Sequence, residues 1–101
     1  MDYHTVARTD EVTPGTMKAV KVGKKDILIT NIDGEYYAIG NICTHFGGEL
    51  DKGTLDGKIV TCRRHGAQFD VTTGKCVERP AKKDEPAYEV KVEGSDIMVG
   101  V

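Results

Sequence analysis

Apolar and polar positions alternate along most of the chain in short runs, each ended by residues that favour turns. The runs "YHTVAR" at 3–8, "TMKAVKV" at 16–22 and "DILITNI" at 26–32 read as strands. "EYYAIG" at 35–40 follows Asp33-Gly34, a two-residue hairpin signal, so it is expected to pair antiparallel with 26–32. "KIVTC" at 58–62 follows Asp56-Gly57, while "AQFDV" at 67–71 and "KCVER" at 75–79 flank "TTG". Residues 87–101 form a final hairpin pattern across Gly94. No segment keeps a helical period for more than about two turns. The pattern predicts an all-β fold, a small antiparallel sandwich or barrel. "RPAKKDEPAY" at 79–88 has neither alternation nor core content, and its prolines suggest a stiff surface loop.

Composition narrows the class. At 101 residues, with no linker-like stretch, the chain is expected to be a single domain, 1–101. Residues from about 41 to 80 hold all three cysteines, His45, His65 and many of the glycines, which suggests a loop-rich subdomain on a strand-built base. The 14 basic and 16 acidic residues are interleaved and give a net charge of -2, so nothing points to nucleic acid. No apolar run approaches the roughly 20 residues that span a bilayer, so no membrane anchor is expected. Three cysteines do not read as a disulfide framework, and the N-terminus has no basic start followed by an apolar stretch; the expected compartment is the reducing cytoplasm.

The chemistry lies in two glycine-containing loops. "CTHFGG" presents Cys43 and His45, and "CRRHG" presents Cys62 and His65 after 16 intervening residues. Two sulfur and two imidazole ligands satisfy one tetrahedral zinc ion, and equally two tetrahedral irons sharing two sulfides. Ligand count does not choose between them. Spacing leans toward iron: finger-type zinc sites group cysteines with cysteines and histidines with histidines, whereas here each loop offers one of each. A structural or regulatory zinc domain remains the alternative for the same four residues, and a redox-sensing [2Fe-2S] protein a further one. Cys-His nucleophilic catalysis would leave two of the four unexplained.

With these motifs in view the chain resembles Rieske-type ferredoxins, whose first loop carries Cys-x-His and whose second carries Cys-x-x-His-Gly. The resemblance implies the Rieske fold, in which a small antiparallel β base carries a loop-rich cluster-binding subdomain, and one [2Fe-2S] cluster. Cys43 and Cys62 would hold the inner iron, and His45 and His65 the outer. It also places Phe46, Gly47, Gly48, Arg64, Gly66 and Pro80 around the cluster, Pro80 in a third, proline-containing loop. The implied activity is one-electron transport without catalysis. Electrons would pass from a flavin-containing, NAD(P)H-dependent reductase to a terminal oxygenase of the aromatic-ring-hydroxylating type, through transient complexes of a monomeric carrier.

The resemblance also bears on potential. High-potential relatives place a serine directly after the second His-Gly, a tyrosine two residues on, and a disulfide between the loops. Here the matching positions are Ala67 and Phe69, with Gly48 and Arg64 where the bridging cysteines would be. Fewer donors to the reduced cluster imply a low-potential member. Glycines 47, 48 and 66 are expected to let the backbone approach closely. Arg63 and Arg64 read either as a solvated pair or as a positive patch that steers an acidic partner. Cys76 and Met17 read as core, and His4 as an ordinary strand residue.

Overall fold

Strand formation follows the alternation. The computed structural model describes residues 2–44, 47–64, 66–78 and 83–101, and they form ten strands joined by tight turns. Strands β1 (Tyr3–Arg8), β2 (Met17–Val22), β3 (Lys25–Ile32), β4 (Glu35–Gly40), β9 (Ala87–Glu93) and β10 (Asp96–Gly100) make one sheet in the order β1-β10-β9-β4-β3-β2. Its end strands, β1 and β2, approach each other, curling the sheet toward a barrel. Strands β5 (Thr54–Asp56), β6 (Ile59–Thr61), β7 (Gln68–Asp70) and β8 (Cys76–Glu78) make a second sheet in that order. The β3–β4 hairpin turns at Asp33 and Gly34, both at positive φ (53° and 92°), with Ile32 opposite Glu35 as the turn signal predicts.

β3 and β4 are the shared wall between two cores. Ile27, Ile29 and Ala38 face a cluster with Ala7, Val12, Ile97 and Val99. Leu28 and Ile39, cross-strand partners on the opposite face, join Leu50, Val60, Phe69 and Val71. Side chains on a strand alternate between faces, so a strand buried on both sides reads as the continuous run "ILIT" rather than as strict alternation. Leu28 and Ile39 thereby anchor the second sheet to the first.

Three features depart from the sequence reading. The region from 41 to 80 holds its own four-stranded sheet, and β5 in it was not expected: "TLD" is too short to show a period. One-turn 3-10 segments occupy Thr9–Glu11 and Leu50–Lys52. The expected surface loop at 79–88 is not all surface, since Glu85 is only 4% exposed, while Ala87 opens β9 where the final hairpin pattern begins. No helix among the described residues is long and apolar enough to cross a membrane.

Candidate metal centre

Two hairpin tips carry the cysteines, and they are built alike. In the first, the Cys43 N–H donates to the Gly48 carbonyl (2.6 Å) and the Gly47 N–H donates back to the Cys43 carbonyl (2.9 Å). In the second, the Cys62 N–H donates to the Ala67 carbonyl (2.8 Å) and the Gly66 N–H to the Cys62 carbonyl (3.0 Å). Each tip spans six residues, 43–48 and 62–67, starts on a cysteine and turns through a left-handed glycine in fifth place, Gly47 (φ 72°) or Gly66 (φ 77°). A side chain at that φ would strain the backbone, so the glycines close the turns. The N–H groups of Gly47 and Gly66 are engaged by carbonyls, so these glycines shape the loops.

Each tip is braced from below. Under the first, Ile42 bridges Glu49, and buried Asn41 accepts from the Asp51 N–H (3.0 Å) while donating to its carboxylate (2.9 Å). Under the second, Thr61 pairs with Gln68, whose amide donates to the Thr61 hydroxyl (3.2 Å). The Asn41 brace was missed in the sequence; a polar residue inside the apolar stretch "AIGNIC" is its only trace.

Cys43 and Cys62 are each 3% exposed and lie in the same apolar cluster as Leu28, Ala67 and Phe69. No disulfide joins the three cysteines. A Cβ built on Gly48 would stand 3.1 Å from Cys62 Sγ and 3.2 Å from Arg64 Cδ. The sulfur of one tip thus faces the backbone of the other, at a spacing where a side chain on residue 48 would have to push its neighbours back by a few tenths of an ångström. Gly48 and Arg64 are in mutual reach, and Ala67 and Phe69 are fully buried without a hydroxyl to offer. His45, Phe46, His65 and Pro80 lie outside the described residues. Cys76 is half-buried and packs against the same core, as expected.

A third segment ties onto the first tip. The Thr44 hydroxyl donates to the Lys83 carbonyl (2.7 Å), and the Glu85 N–H donates to the Gly74 carbonyl (2.7 Å). A Cβ on Gly40 would lie 2.6 Å from Glu85 Oε1, so the carboxylate sits against the end of β4. Glu85 Oε2 is buried with no hydrogen-bond partner among the described residues. Burial drives the Glu85 pKa up to about 7, against the opposing pull of the Thr44 N–H. Nothing in the sequence signals this residue, because an acidic side chain between Asp84 and Pro86 reads as solvated.

A groove of about 320 Å3 opens between the tips, lined by Gly47, Gly48, Glu49, Lys52, Arg63 and Arg64. Two braced loops bring two buried cysteines to a common apolar core. The chain belongs to the Rieske [2Fe-2S] domain family, whose model matches residues 2–98, and with the family goes its [2Fe-2S] cluster. It is 38% identical over 90 residues to the ferredoxin component of a naphthalene 1,2-dioxygenase/salicylate 5-hydroxylase system from Ralstonia sp., covering 89% of this chain and 86% of that one. The structure superposes on the ferredoxin of carbazole 1,9a-dioxygenase from Nocardioides aromaticivorans IC177 with a TM-score of 0.92, at 31% identity over 98% of this chain and 97% of that one. It also matches a chain in a complex of reduced oxygenase and oxidised ferredoxin in carbazole 1,9a-dioxygenase, with a TM-score of 0.90 and 31% identity over 96% and 91% of the two chains.

Proposed function

We propose that this chain is the one-electron carrier of an aromatic-ring-hydroxylating oxygenase system, taking electrons from a flavin-containing, NAD(P)H-dependent reductase and passing them to a terminal oxygenase. The observation that carries it is the pair of matching hairpin tips, each burying a cysteine against the core they share. Support for the setting comes from the Ralstonia relative, a component of a dioxygenase system, and from the matched chain in an oxygenase–ferredoxin complex.

In this reading residues 41–80 are the cluster-binding part of a single domain. Cys43 and Cys62 hold the inner iron, and His45 and His65 the outer. The donor set suits such a group: two thiols shielded from water inside an apolar shell, at the start of loops closed by backbone hydrogen bonds. When bound, the cluster supplies one electron-accepting centre, and its two neutral imidazoles put its potential between roughly -150 and +300 mV rather than near -400 mV. The chain's own residues set the position within that range. Ala67 and Phe69 offer no hydroxyl donor, so the expected potential is near the low end. Gly48 keeps Cys62 accessible to the facing loop, and Leu28, Ile39 and Phe69 keep water out.

The carrier works as a cytoplasmic monomer that forms transient complexes. Docking is expected to bury less than about 1,200 Å2, since each partner has to be released after transfer. The deciding experiment is visible absorption and electron paramagnetic resonance on purified protein, with iron and sulfide counted. A red-brown protein with equal iron and sulfide, lost in Cys43→Ser and Cys62→Ser, is the expected outcome. A colourless, zinc-containing protein without acid-labile sulfide would overturn the reading.

A further inference from the structure

The groove between the tips is a charged concavity, and the charges of the described residues that line it are poorly matched. Three cations line it, Lys52, Arg63 and Arg64, against the single carboxylate of Glu49. Lys52 lies 4.0 Å from Asp51, but neither arginine forms an ion pair among the described residues. Both arginines are exposed. The chain as a whole carries a net charge of -2, so this cationic spot runs against the general field of the molecule. Its floor is Gly48, whose absent Cβ leaves the buried Cys62 sulfur directly beneath.

We propose that this groove seats a carboxylate from the surface of an electron-transfer partner, gripped by Arg63 and Arg64 and flanked by Lys52. The inference rests on the carrier reading above and names the partner chemistry that reading leaves open. A guanidinium is planar and presents paired N–H donors that match a carboxylate, whereas a lysine offers only a point charge. The groove attracts an acidic partner although the chain as a whole carries a net charge of -2. Long-range charge therefore orients it before contact, with its surface one residue away from Cys62. A groove of this volume admits a side chain rather than a folded element.

Inorganic oxidants of opposite charge test the site in the intact, cluster-bearing protein. Dithionite-reduced protein is mixed in stopped flow with ferricyanide, which takes one electron and becomes ferrocyanide, or with the cation tris(phenanthroline)cobalt(III). At about 0.01 M ionic strength, ferricyanide should oxidise Arg63→Gln/Lys52→Gln about tenfold more slowly than the unaltered protein, and the difference should vanish near 1 M. The cobalt reagent should be as fast or faster with the variant. Arg63→Lys, which keeps the charge and loses the fork, should fall between. Isothermal titration gives an independent readout: a hexaglutamate peptide should bind the unaltered protein and lose about tenfold in affinity to the double variant. A ferricyanide rate indifferent to the substitutions overturns the proposal, and so does inorganic phosphate binding as tightly as hexaglutamate, which would make the groove a small-anion site. Either failure leaves the carrier reading intact so long as the cobalt reagent still withdraws one electron per protein. Absence of iron and sulfide would sink the carrier reading, while the peptide titration would still judge the groove.

Discussion

Replacing Glu85 by glutamine tests the structural account of the 83–86 segment at its most exacting point. The carboxyl is 4% exposed, one oxygen has no partner among the described residues, and its pKa stands at about 7 against an ordinary 4.5. Below about pH 4.5 the group is protonated in both the folded and the unfolded chain and contributes nothing to pH dependence. Between 4.5 and 7 the unfolded chain releases the proton that the folded chain retains, so stability falls as pH rises. Above 7 the fold carries the whole penalty of a buried carboxylate. At 1.36 kcal/mol per unit, that penalty is about 2–3 kcal/mol once some water access is allowed. In a domain of this size it corresponds to roughly 10–20 °C in Tm. Glu85→Gln keeps the shape and removes the ionisation, so its Tm should drop less than that of the unaltered protein between pH 5 and pH 8. The difference between the two drops should be about 10 °C, measured by circular dichroism at one scan rate. Comparing the two proteins at each pH cancels the titration of the histidines and of every other group. An identical pH response in the variant would refute the placement of Glu85, and a Glu85→Leu variant that also leaves the response unchanged would close the matter.

Other substitutions probe the site from different sides. Ala67→Ser and Phe69→Tyr each add a hydroxyl at the buried positions beside the cysteines, and each should raise the midpoint in protein-film voltammetry by on the order of 40 mV, the equivalent of one net hydrogen bond; no rise in either would remove the hydrogen-bond account of low potential. Gly48→Ala puts a methyl 3.1 Å from Cys62 Sγ, so iron content should fall and the visible bands shift, while strand content measured by circular dichroism stays the same. Gly53→Ala is the harsher case: its Cβ would collide with the Thr61 carbonyl, a rigid backbone atom, and the variant should lose 4 kcal/mol or more, on the order of the largest single-substitution effects, visible as failure to accumulate folded protein. Asp70 works oppositely to Glu85. Burial pushes its pKa up, but hydrogen bonds from the Thr72 hydroxyl and N–H, with Lys58 at 3.5 Å, outweigh it and hold the carboxylate below its ordinary range, so its support for the β7–β8 turn is present above about pH 4 and lost as the pH falls. Asp70→Asn should therefore lower the Tm at pH 7 and change it little at pH 3.

The local rules were legible in the chain. A period of two, broken by Asp33-Gly34, Asp56-Gly57 and Gly94, placed nine of the ten strands to within a residue or two, because strand alternation and turn chemistry depend on neighbours in sequence. The residue types at 43, 45, 62 and 65 identified the cluster family, because thiolate and imidazole donors are rare enough that four of them at such spacing carry a specific chemistry. Relations between distant segments were decided only by tertiary structure. That the tips at 43–48 and 62–67 share one hydrogen-bond pattern depends on where Gly48 and Ala67 turn back to meet their cysteines. That a side chain at Gly48 would crowd its surroundings depends on the Cys62 sulfur coming from another hairpin. Most of all, Glu85 looks like one more surface charge in "KKDEPAY", and only the convergence of Gly40, Thr44 and Gly74 on it removes its water. Burial is a property of what packs around a residue, and no local pattern in the chain records it.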